Sequence, residues 1–141
     1  MIQLNLTENQ FSHLLKLMYM GEWMLQAHNK ESYNVEVEEL EQQLYSAAYN
    51  MGLDECADYD KKMGGYVPTE EFEEECDTDI NSYDEQTFWE ELIVRLAEKK
   101  LEKEGAKNLS QKEFTKLQET YIAEYEKEFE EYGLDRLGII K

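Results

Sequence analysis

The sequence predicts an all-α fold, a single domain of four to five helices, and three observations carry that prediction. Apolar residues recur at helical spacing over most of the 141 residues. The last two periodic stretches are joined by a short connection, as antiparallel helices are. Helix-start and helix-stop residues stand at the borders of the periodic stretches. A chain of this length suits one domain with a substantial core. Its 41% apolar content argues for folding in spite of the charge.

The first element is short. "IQLNL" alternates Ile2, Leu4 and Leu6 with Gln3 and Asn5, the pattern of a strand or extended arm. The C-terminal "LGII" is its candidate partner. Thr7 with Gln10 then forms a capping box that opens a helix over about 8–28. Phe11, Leu14, Leu15, Met18 and Leu25 make its core stripe, widened by Leu17, Trp23 and Met24. Gly21 inside it costs about 1 kcal/mol relative to alanine, so a close helix crossing is expected there.

A second helix is expected over about 34–51. Val37, Leu40, Leu44, Ala47, Ala48 and Met51 form its stripe, and Gly52 ends it. The stretch 53–69 has no clear period. Gly64, Gly65 and Pro68 mark a turn there. A short helical segment follows over 69–76, with Phe72 and Cys76 facing inward together.

Two long helices complete the prediction. One covers about 83–104 and buries Phe88, Trp89, Leu92, Ile93, Leu96 and Leu101. Ser82 with Glu85 reads as its capping box, and Asp84 and Glu85 suit the positive end of its dipole. The other opens at Ser110, capped with Glu113, and buries Phe114, Leu117, Tyr121, Tyr125, Phe129 and Tyr132 up to Gly133. The connection between them is short, which predicts antiparallel neighbours.

Motifs for chemistry are scarce. Asp77, Asp79 and Asn81 have the spacing that opens a calcium loop. The sixth position is Ser82 where the loop needs glycine, and the twelfth is Phe88 where it needs glutamate. No calcium site is expected. His13 and His28 stand fifteen residues apart on the first helix, about 22 Å along the axis, so they do not share an ion. Neither they nor Cys56 and Cys76 have the paired spacing of structural zinc ligands. Phosphate-binding and dinucleotide glycine loops and the G-x-S-x-G elbow are absent. The expectation is therefore no catalytic residue, no metal and no cofactor.

The first residues have neither a basic start nor an apolar run, and no stretch reaches the length of a membrane span. Two lone cysteines fit reduced thiols and a cytoplasmic protein, with a disulfide between them left open.

The net charge is −19, from 33 acidic and 14 basic residues. Such a surface repels phosphate backbones and anionic membranes, so neither direct nucleic-acid binding nor membrane binding is expected. The charge is uneven: residues 63–94 contain no basic side chain. Antiparallel pairing of the last two helices brings Asp84, Glu85, Glu90 and Glu91 to one pole with Glu124, Glu126, Glu128, Glu130 and Glu131. Arg95, Lys99, Lys100, Lys103, Lys112 and Lys116 go to the other. Glu70, Glu71, Glu73, Glu74, Glu75, Asp77 and Asp79 lead into the acidic pole. Glutamates at a helix C-terminus oppose its dipole, and those spaced i, i+4 repel one another.

The expected function is a small interaction module whose acidic pole meets a basic protein surface. One form is an inhibitor that imitates nucleic acid in the cleft of a nucleic-acid-binding protein, an analogy of charge and size alone. The alternatives are an enzyme or metal-dependent protein with a site assembled across helices, and a homo-oligomeric subunit joined through its N-terminal arm.

Overall fold

Four helices and one small β-hairpin make up the described residues, 3–26, 34–106 and 109–138, of the computed structural model. The order is α1 (Glu8–Gln26), α2 (Val35–Met51), β1 (Ala57–Asp60), β2 (Gly65–Pro68), α3 (Glu70–Lys103) and α4 (Gln111–Tyr132). The fold is thus mostly helical, and the hairpin corrects the all-α expectation. Residues 3–6 are exposed and form no strand, nor do Leu137 and Gly138. Ile2, His28, Ile139 and Ile140 lie outside the described residues. Contacts within the chain fall into two compact units, Met1–Ser82 and Tyr83–Lys141.

The first unit starts as its sequence dictates. The Thr7 amide donates to Gln10 Oε1 at 2.9 Å and the Gln10 amide to Thr7 Oγ1 at 3.3 Å, which closes the capping box. Asn34 caps α2 by accepting from the Glu36 amide. Gly52 ends α2 at φ 79°, a conformation that glycine adopts without strain. Phe11, Leu15, Tyr45, Ala48, Cys56, Ala57, Phe72 and Cys76 form the core. Leu14, Met18 and Leu44 pack against it, half-buried. Tyr19 and Tyr45 both meet Phe72 edge-on, with ring centroids 6.1 and 6.5 Å away.

The expected α1 stripe is wider than the buried one. Leu17, Met24 and Leu25 are 68%, 66% and 64% exposed, so they lie off the face that meets the core. No close crossing occurs at Gly21, where an added Cβ would meet nothing within 4 Å among the described residues. On α2, Leu40 and Met51 are exposed and Tyr45 takes the buried place instead. The Tyr45 hydroxyl is buried with no hydrogen-bond partner among the described residues.

The hairpin pairs β1 with β2 in antiparallel register, Tyr59 opposite Tyr66. Its turn is closed by the Asp60 carboxylate, which accepts from the Lys62 and Met63 amides. The outer edge of β2 is covered from α2. Gln42 donates to the Tyr66 carbonyl at 2.8 Å and accepts from the Tyr66 amide at 2.9 Å, as a neighbouring strand would. Gly65 makes room for this: a Cβ there would lie 2.9 Å from Gln42 Oε1.

The stretch 69–104 differs most from expectation. A short segment and a separate helix capped at Ser82 were expected. Instead α3 runs unbroken from Glu70 to Lys103, capped by Thr69, whose hydroxyl accepts from the Phe72 amide. Ser82 is an exposed residue inside the helix. Asp77, Asp79 and Asn81 are helical too, not part of a loop. Neither glycine nor proline occurs between Pro68 and Gly105. Phe72, Cys76 and Ile80 bury one stripe in the first unit, and Ile93, Ala97 and Leu101 bury another in the second.

In the second unit the end of α3 and α4 run antiparallel. Trp89 meets Phe129, Lys100 meets Glu124, and Tyr121 donates its hydroxyl proton to Glu104, so partner numbers fall as α3 advances. Ser110 and Glu113 form the predicted reciprocal cap of α4. Ala97, Leu101, Ala106 and Tyr121 form this unit's core, with Phe114, Leu117 and Tyr125 packed against it. Phe88 is 47% exposed, contrary to expectation. Its ring meets that of Trp89 in an edge-type contact instead, 5.1 Å between centroids.

Two carboxyls of the first unit are held above the ordinary glutamate value of 4.5. Glu41 is raised by burial, then by Glu22 and Glu38; Glu73 is raised by burial, then by Asp77 and Glu70. The folded state therefore binds these protons more tightly than the unfolded one, and stability grows as pH falls from neutral towards 4.5. Below that value the low-lying Glu113 of the α4 cap works the other way. The melting temperature should be higher at about pH 5.5 than at about pH 7.5. Glu41→Gln combined with Glu73→Gln should shrink the difference. A lower melting temperature at the acidic pH would contradict this account.

Candidate functional site

The excess of negative charge is not shared equally. Residues 1–82 contain 18 acidic and 4 basic side chains, and residues 83–141 contain 15 and 10. Excess alone does not locate a site, because a solvated acid with a counter-charge beside it has little left to offer a partner. The pairing of each candidate carboxylate decides more.

In the first unit, Glu70, Glu71, Glu74, Glu75, Asp77 and Asp79 are exposed along the opening turns of α3, and Glu73 is half-buried. Glu70, Glu71 and Glu73 also suit the positive end of the helix dipole, so their placement has a local explanation. Glu75 forms an ion pair with Lys16, which holds the Lys16 ammonium above its usual range. Asp77 accepts from the Tyr19 hydroxyl at 3.3 Å. Burial and, after it, Asp77 push the Tyr19 phenol up to about 12.

A cleft of about 220 Å³ lies beside this stretch, lined among others by Ser12, His13, Lys16, Cys56, Glu71 and Glu75. Sequence reasoning did not find it, because α1, the loop before β1 and α3 supply its walls from distant positions. Cys56 and Cys76 are both free and buried. Burial pushes both thiols up, Cys76 to about 11, which keeps them protonated and poorly nucleophilic near neutral pH. Among the described residues no cluster of three or more His, Cys, Asp and Glu is placed to hold a metal ion. None of the described helices is long and apolar enough to cross a membrane.

In the second unit the contact of Trp89 with Phe129 sets the start of its α3 segment beside the end of α4. Several candidates there are already matched within the chain. Glu91 pairs with Arg95 at 3.0 Å, Glu124 with Lys100 at 2.5 Å, and Glu128 with Arg136 at 3.1 Å. Glu85 accepts from the Trp89 indole N–H at 2.7 Å, Glu90 from the Gln86 side-chain Nε2 at 2.7 Å, and Glu131 from the Tyr132 hydroxyl. Asp84, Glu126 and Glu130 remain. All three are exposed, and no lysine or arginine among the described residues pairs with them.

Glu126 and Glu130 differ from Asp84 in their surroundings. They edge an open cavity of about 320 Å³ whose other walls are Trp89, Ile93 and Phe129. The two rings lie 5.5 Å apart between centroids, tilted by 43°. Glu130 belongs to the last turn of α4, where the dipole opposes it, and Glu126 lies one turn earlier, so the two are i, i+4 neighbours that repel each other. A cavity with an aromatic floor and two unmatched carboxylates is chemically suited to a cation. The sequence places both rings on apolar stripes, and their partial exposure depends on how the helices cross.

Comparison of the chain with known protein families, with characterised proteins and with solved structures finds no match.

Proposed function

We propose that this protein is an interaction module that docks on a basic surface of another protein through the acidic end of its second unit. The supporting observation is the inequality among the glutamates of α4. Glu124 and Glu128 carry their own cations, whereas Glu126 and Glu130 have none among the described residues, and Glu130 stands against the helix dipole as well. Attraction at such a surface acts mainly on encounter, and so it is screened by salt.

One form of the partner is a nucleic-acid-binding protein whose cleft this surface occupies in place of nucleic acid. That form rests on charge and size, and competition with nucleic acid tests it. A catalytic role for the cleft at Cys56 has less behind it, because Lys16 is tied to Glu75 and the thiol is protonated. Association of two copies through their acidic surfaces is opposed by a net charge of −19 on each.

The test is affinity capture from the source cell at low and high salt, with the parent and with Glu126→Lys/Glu130→Lys/Glu131→Lys as baits. The parent should retain a basic protein at low salt that the reversed variant loses. The variant should keep its fold and melt no lower, since lysine suits a helix C-terminus. Lys112→Glu/Lys116→Glu, on the first two turns of α4, should retain the protein. Equal retention by parent and triple variant would contradict the proposal.

A further inference from the structure

We infer that the cavity between Trp89 and Phe129 receives an arginine side chain of the basic partner, held between Glu126 and Glu130. The inference rests on the function proposed above and goes further, in naming the side chain that enters and the atoms that hold it.

The second unit contains the same recognition twice, satisfied from within. Arg136 lies over the Tyr132 ring, 3.2 Å from its centroid, and its Nη1 donates to both carboxylate oxygens of Glu128 at 3.1 and 3.2 Å. Lys100 lies 4.0 Å from the Tyr121 centroid and donates to Glu124 at 2.5 Å. In each case a cation sits on an aromatic face while an α4 carboxylate takes its N–H groups. Glu126 and Glu130, with Trp89 and Phe129, repeat the aromatic and carboxylate parts, and no cation of the described chain takes the third part.

The aromatic wall is held in place before any partner arrives. The Trp89 indole N–H donates to Glu85 at 2.7 Å, which fixes the ring about its bond to the backbone. Phe88 and Phe129 pack against the ring, 5.1 and 5.5 Å between centroids, and Tyr125 stacks behind Phe129. A prearranged surface of this kind loses little freedom on binding. The carboxylates, by contrast, repel each other at i, i+4, and a cation between them relieves that repulsion.

Arginine fits better than lysine for geometric reasons. A guanidinium is planar, so one face can stack on a ring while its edge donates to two separate carboxylates. An ammonium is a compact, strongly hydrated point charge that gains less from the ring. Trp is also the ring that attracts cations most strongly.

The experiment uses Trp89 as its own reporter. The sequence has two tryptophans, Trp23 and Trp89, so Trp23→Phe in the full chain leaves one in the cavity. This protein is titrated at low salt with N-acetyl tetra-arginine amide and with the tetra-lysine equivalent, following Trp89 emission and, by calorimetry, affinity. Trp89 emission should shift on adding the arginine peptide, which should bind about threefold or more tighter than the lysine peptide of equal charge. Glu126→Gln/Glu130→Gln should remove the shift and lower affinity for the arginine peptide roughly tenfold. Trp89→Leu, read by calorimetry, should abolish the preference for arginine. Phe129→Leu should do the same and keeps Trp89 emission as the readout if Trp89→Leu does not fold. Two results overturn the inference. Binding of both peptides alike with Trp89 silent means that charge alone attracts them, and the acidic-surface proposal then stands without the cavity. Failure of both peptides to bind at low salt removes the inference and the acidic-surface proposal together.

Discussion

Phe72→Ala should lower the unfolding free energy by about 3–5 kcal/mol, the usual range for removing a core aromatic ring. Phe72 is 2% exposed, and its ring is met edge-on by Tyr19 from α1 and Tyr45 from α2. The side chain thus joins three helices of the first unit at one point. Its loss leaves a cavity that two tyrosines cannot close without moving the helices that carry them. Urea unfolding followed by circular dichroism measures the effect. If the two units unfold separately, the loss belongs to the first transition of the two that carries the α1 and α2 signal. A loss below about 1 kcal/mol would show that Phe72 is not the centre of that core.

Tyr83→Pro should cost about 3 kcal/mol or more, although Tyr83 is an exposed residue. Inside α3 a proline at 83 removes the amide hydrogen bond to the carbonyl of Asp79 and pushes its ring against that carbonyl. The same substitution distinguishes the observed helix from the one its sequence suggests. With a helix starting at Ser82, residue 83 would be the first helical position, where proline is well tolerated. Ser82→Ala separates the cases a second time. It should be neutral or slightly stabilising inside a helix and cost about 0.5–2 kcal/mol at a cap. A harmless Tyr83→Pro with a damaging Ser82→Ala would break α3 in two.

What was legible in the sequence was local. Thr7 with Gln10, Ser110 with Glu113, and Gly52 are pairs or single residues whose effect is complete within four positions, and each acts in the structure as its chemistry requires. The α4 stripe from Phe114 to Phe129 was legible for the same reason, since helical period alone orders it. Ser82 with Glu85 has an equally good local signal and is overridden. Buried stripes on both sides, ending at Ile80 and resuming at Ile93, hold one continuous helix through it.

The hairpin was illegible because its strands are four residues each, and "ADYD" has little strand preference. It depends on Gln42, which reaches the β2 edge from 24 residues away. Tyr49 of α2 also packs on Tyr66 at 5.5 Å. At the candidate site the list of acids was legible and their inequality was not. Only the crossing of α3 and α4 decides that Lys100 answers Glu124 and that Trp89 faces Glu126 and Glu130, and only the turn after α4 folds Arg136 back to Glu128.

The central claim is that Glu126 and Glu130 engage a basic partner. Its most direct test is the association rate constant of the captured partner with the parent and with Glu126→Lys/Glu130→Lys/Glu131→Lys, measured across ionic strength. The account predicts that the parent's rate falls steeply with added salt, and that the triple variant associates at least about tenfold more slowly at low salt with a nearly flat salt dependence. Equal rates and equal salt slopes for the two proteins would contradict it.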